Sequence, residues 1–90
     1  MYIIKSTNRF QKDYKRLVKA GDKNTDLLKT VMGLLANNKK LEPKYRDHVL
    51  IGKYKDRREC HIKPDWLLIY KIEYNVIIFE RTGSHSELFK

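Results

Sequence analysis

Trp66-Leu67-Leu68-Ile69-Tyr70-Lys71-Ile72, separated by Glu73-Tyr74-Asn75 from Val76-Ile77-Ile78-Phe79-Glu80-Arg81, is the most informative stretch of the chain. The first run is almost continuously apolar, as a central strand covered on both faces must be. The second is rich in β-branched residues, and the short polar interval between the two predicts a hairpin. Upstream, Tyr54 to His61 is polar and charged, the pattern of an exposed or site-lining strand, and Pro64-Asp65 marks the turn into Trp66. Tyr2 to Lys5 is a further short strand. In between, the period changes to that of a helix. Phe10, Tyr14, Leu17 and Val18 make one stripe ringed by Arg9, Lys12, Lys15, Arg16 and Lys19, with Ser6, Thr7 or Asn8 as cap and Gly21 as stop. Leu27, Leu28, Val31, Leu34 and Leu35 make the stripe of a second helix, which starts near Asp22 or Asn24 and ends at Asn37-Asn38. Asn38 to Lys53 reads as a loop. The order β-α-α-β-β-β predicts an α+β fold, two N-terminal helices packed on one face of a small, mostly antiparallel sheet.

Ninety residues suffice for a single domain over 1–90 with a thin core. Cys60 is the only cysteine, which excludes an internal disulfide and a cysteine-based zinc motif and suggests a reducing compartment. The first ten residues lack the apolar core of a signal peptide, and no apolar run is long enough to span a bilayer. The expectation is a small soluble intracellular protein without a membrane partner. Its formal net charge is +9, from 20 basic and 11 acidic residues. Residues 1–60 carry the whole excess, since residues 61–90 hold four positive and four negative side chains. A polyanion such as nucleic acid, or an acidic protein, suits this balance, and a solvated basic surface is the plain alternative.

His48, His61 and His85 all lie outside the two helices, at the ends of strands or loops, and Asp65 follows His61 across the Pro64 turn. Taken singly, each histidine is an ordinary surface residue. Together on a basic chain they suit cleavage of RNA, whose ribose 2′-OH is a nucleophile beside the scissile phosphate. That reaction needs a base and an acid near neutral pH, which imidazole supplies. Arg58 and Arg81 are candidates to neutralise the phosphate. Trp66 and Phe89 are candidates to stack on bases, although core packing is the rival use of Trp66. The same His48, His61, Asp65 and His85 offer zinc ligands, but at a spacing that matches no short metal motif. There is no glycine-rich phosphate loop and no nucleophile elbow, and Cys60 reads as a small buried filler.

Three blocks carry a resemblance: Asp47-His48-Val49-Leu50 with Gly52, then Arg58 through Tyr70 around His61-Ile62-Lys63-Pro64-Asp65-Trp66, and Glu80 through Phe89 around Gly83-Ser84-His85. Together they resemble the YafQ branch of the RelE/ParE toxin superfamily, over nearly the whole chain in element order. The resemblance implies a bacterial, cytoplasmic toxin of a type II toxin–antitoxin pair that cleaves mRNA in the A site of the 70S ribosome. Cleavage would need neither metal nor other cofactor. It places His48, His61, Asp65 and His85 on the catalytic positions, Phe89 on the C-terminal aromatic and Arg81 near the scissile phosphate. His48 and His85 would serve as base and acid in either order, His61 would hold the phosphate, and Asp65 would orient a histidine or take the 2′ proton. Lys12, Lys15, Arg16 and Lys19 are charge-based candidates for ribosomal RNA contact. An acidic, DinJ/RelB-like antitoxin would cover the basic surface, and operator DNA would be bound only through that complex. A non-catalytic interaction module inhibiting a protein target is the alternative, with the three histidines against it.

Overall fold

β4 (Trp66–Glu73) lies at the centre of a five-stranded sheet ordered β1-β5-β4-β3-β2. The computed structural model describes residues 1–89. β5 (Val76–Gly83) and β3 (Arg58–Lys63) flank β4 antiparallel, as the apolar runs predict. β1 (Ile3–Ser6) pairs parallel to β5, so the two helices form the crossover between them. β2 (His48–Val49) is a two-residue edge strand inside the segment expected to be loop. α1 (Asn8–Ala20) starts at Thr7, whose side chain accepts from the Phe10 N–H, and stops at Gly21 in the left-handed region. α2 (Thr25–Ala36) is capped by Asn24. α3 (His85–Leu88) is a single turn closed by a reciprocal Ser84–Glu87 capping box.

The alternation along each strand sorts the sheet into two faces. On one, Cys60, Ile62, Trp66, Leu68, Tyr70, Ile77 and Phe79 pack under Phe10, Leu17, Leu28, Val31 and Leu35 of α1 and α2. On the other, Leu67 and Ile69 are covered only by Leu88, Leu50 and Tyr54. β4 is therefore dry on both faces, while its neighbours are free to present polar groups on the second face. Burial of each large side chain in this core is worth roughly 1.5–3 kcal/mol.

One position departs from the expected helix stripe. Val18 is 54 % exposed, and Asp13 at 3 % lies buried between Phe10 and Leu17. Its Oδ2 accepts from Arg81 Nε at 2.8 Å and from the Thr82 N–H at 3.2 Å, and its Oδ1 accepts from Arg81 and Arg16. The β4–β5 register shifts here, with Ile69 opposite Arg81 and Tyr70 opposite Phe79, which leaves Glu80 as the bulge residue. A helix carboxylate thus grips the irregular end of β5 just before the chain enters α3.

Candidate active site

The second sheet face gathers the histidines. Glu59 and His61 stand two apart on β3 and so share a face, and His48 on β2 is the direct cross-strand partner of Glu59. His48 and His61 each bring Nε2 to 3.4 Å from the same Glu59 Oε1. That carboxylate is 5 % exposed. A buried carboxylate needs donors, and the two imidazoles are placed to provide them. His85 enters from the start of α3, with its ring centroid 5.7 Å from that of His61, which lies 6.1 Å from His48. The three rings therefore form a row with His61 in the middle.

Each ring is oriented through Nδ1. His48 Nδ1 lies 2.6 Å from the Arg46 carbonyl, His61 Nδ1 3.3 Å from the Pro64 carbonyl, and His85 Nδ1 2.7 Å from Asp65 Oδ1. An acceptor at Nδ1 fixes the proton there and leaves Nε2 as the working nitrogen of all three. Asp65 also accepts the His85 backbone N–H at 2.9 Å. That bond first, and the imidazole second, hold its carboxyl below the usual carboxylate range. Gly83 makes the approach possible. Its φ is +156°, and a Cβ there would lie 2.9 Å from the Glu87 carboxylate that caps α3. Phe89 sits beside His85, edge-on to Tyr54 at 5.4 Å and 42 % exposed, so its ring is accessible.

Three expected contacts with substrate are corrected by the structure. Trp66 is 3 % exposed, its indole N–H donates to Thr82 Oγ1, and Lys23 covers the ring, so no face is left for a base. Arg81 is committed to Asp13 rather than to the cleft, with a side chain 11 % exposed. Arg58 points to the helix-covered face, where its guanidinium donates to Asp47 beside the Tyr70 hydroxyl. The phosphate-facing charge therefore comes from imidazoles. Burial pushes the Cys60 thiol up to about 12, which leaves it unreactive near neutral pH.

Comparison with known proteins agrees with this arrangement. The family described as a bacterial toxin of type II toxin–antitoxin system, YafQ, matches residues 2–90. The chain belongs to the YafQ toxin family. The mRNA interferase toxin YafQ of Escherichia coli K12 is 42 % identical over 87 residues, 96 % of this chain and 94 % of that protein. The toxin in the E. coli DinJ-YafQ complex superposes with a TM-score of 0.91 at 41 % identity, covering both chains completely. A metal-bound toxin from Helicobacter pylori superposes with a TM-score of 0.91 at 49 % identity, over 99 % of this chain and all of that one.

Within this YafQ-family chain, the metal-sized cluster among the described residues is His48, Glu59 and His61, with one ligand atom each inside 4.8 Å. It differs from the four-residue set His48, His61, Asp65 and His85 considered from sequence. Two imidazoles and a carboxylate at this spacing suit a zinc-like cation. Glu59 is the site residue that sequence reasoning missed, although its two-residue spacing from His61 on a polar strand was the available signal. On α1, Lys12, Lys15 and Lys19 are exposed, whereas Arg16 is tied to Asp13 and Glu87.

Proposed function

We propose that this YafQ-family toxin, an mRNA-cleaving endoribonuclease, cuts mRNA in the ribosomal A site by acid–base catalysis with the 2′-OH as nucleophile. The observation that carries the reading is the row of three imidazoles, each fixed through Nδ1 with Nε2 left for chemistry. A scissile phosphate lying over His61 has His48 on one side and His85 on the other. One outer ring takes the 2′ proton and the other protonates the leaving 5′-oxygen, while His61 offers its N–H to a phosphate oxygen. Asp65 orients His85 and favours its protonated form, which suits His85 as the acid. Glu59 does the same for His48 and His61 from below. Phe89 stacks on a neighbouring base. Every step uses groups of this chain, so no cofactor is required.

The exposed Lys12, Lys15 and Lys19 support docking on ribosomal RNA. The net charge of +9 supports an acidic antitoxin. The YafQ of E. coli is solved with DinJ, and a DinJ/RelB-like antitoxin is the partner proposed here. Operator DNA is then reached through the antitoxin. The test is primer extension on a translated mRNA with wild type and His85→Ala, with and without ribosomes. In-frame cuts seen only with ribosomes and lost in the variant are the expected result. Equal cutting by the variant would remove His85 from the chemistry, and cuts on free mRNA would remove the ribosome from it.

A further inference from the structure

A second concavity shares a wall with the histidine cleft. It is a groove of about 340 Å³ bounded by His61 on one side, with Lys44, Arg46 and Lys63 around it and Leu27, Tyr45 and Pro64 as its apolar surface. No carboxylate lines it. Among the described residues the side chains of Arg46 and Lys63 have no hydrogen-bond or ion-pair partner, and Lys44 makes a 3.8 Å contact with Glu42 at an exposed position. Arg46 also adopts a left-handed backbone, φ 49° and ψ 45°, which is uncommon for a residue with a Cβ. That conformation accompanies the bond between its carbonyl and His48 Nδ1. One residue thus orients a ring of the cleft through its backbone and offers a free guanidinium to the groove.

We propose that this groove is a nucleotide subsite, which holds the residue of a single-stranded RNA next to the scissile phosphate. It rests on the ribonuclease reading above and adds a place for the strand beyond the cut. A chain lying over His61 has to continue past one side of that ring, and this side carries three cations. Arg46 and Lys63 take the adjoining phosphate, with Lys44 adding charge. The sugar and base lie against Leu27, Pro64 and the Tyr45 ring. An acidic protein segment would use the cations but leave the apolar surface without a partner, so RNA is the better occupant.

The test is an amide-shift titration of the protein with a 2′-O-methyl triadenylate, which lacks the nucleophile and cannot be cut. Shifts at Arg46, Ile62 and Lys63 together with His48 and His61 are expected. Arg46→Gln with Lys63→Gln is expected to weaken binding about tenfold and to lower the slope of log affinity against log salt by about 1.4, or ~0.7 per lost phosphate contact. In the cleavage assay the same variant raises KM and leaves the pH profile of kcat in place. Shifts confined to the histidines and α3, with an unchanged salt slope, would overturn the subsite while leaving the ribonuclease reading intact. Groove shifts with a hexaglutamate peptide but not with the trinucleotide would overturn it in favour of an acidic protein. Failure of both ligands to bind, alongside mRNA left uncut on ribosomes, would overturn subsite and ribonuclease reading together.

Discussion

Two aspartates hold the C-terminal end of β5, and their surroundings give them opposite work. Asp13 reaches it from α1, is 3 % exposed and accepts from Arg81, Thr82 and Arg16. Asp65 reaches it from the β3–β4 turn, is exposed, and accepts twice from His85. The first pair is locked on every side, so its charges stabilise the bulge and do nothing else. The second leaves a ring nitrogen free in solvent. A carboxylate–cation pair therefore marks chemistry only where one partner keeps an unused valence facing a cleft. Arg81, which looks like a phosphate ligand in the sequence, falls on the structural side of that line.

The comparison breaks first if Asp13 is dispensable. Asp13→Ala leaves the Arg81 guanidinium buried without its partner, and about 3–5 kcal/mol of stability should be lost. Chemical denaturation measures this, and a loss under about 1 kcal/mol would mean that the anchor is ornamental. Asp65→Ala should do the reverse. Cleavage falls about a hundredfold as His85 loses its orientation, while the unfolding midpoint stays where it is. A shifted midpoint would make Asp65 structural as well. Zinc sharpens the contrast from the other side, because a cation on His48, Glu59 and His61 removes the nitrogens that the reaction needs. Added Zn²⁺ should suppress cleavage severalfold, and EDTA should restore it. A protein that loses activity in EDTA alone would contradict the acid–base account.

The smallest effect is one of pH. Asp65 and Glu87 both have carboxyl pKa values below their ordinary 3.8 and 4.5, each held down first by a backbone N–H, of His85 and of Ser84. Their hold on α3 is complete above those ordinary values and is lost as pH falls through the depressed ones. An acid titration followed by amide resonances should show His85 to Phe89 loosening while β4 stays protected. Simultaneous loss of both would mean that α3 is no separate unit.

The hairpin, both helices and their caps were legible because hydrophobic period and turn chemistry are local. The joint placement of His48, His61, Asp65 and His85 was carried by resemblance, since no local rule tells which loop residues converge. Asp13 and Glu59 were invisible for a shared reason. Each is a charged residue at a buried position, and its partners lie far away in sequence, Arg81 for one and His48 for the other. Trp66 and Arg81 were misassigned because aromatic and cationic side chains beside a site look alike whether they face substrate or core. The two-residue β2 was hidden in a loop by its length, although it delivers His48 to Glu59.

The central claim is that three oriented imidazoles cut RNA through its own 2′-OH. The direct measurement is cleavage of a ribosome-bound mRNA that carries a single 2′-deoxyribose at the cut nucleotide, beside its all-ribose twin. The twin should be cut and the substituted strand should remain whole at that position. Equal cutting of both would show that the nucleophile comes from elsewhere, and the histidine row would lose its role.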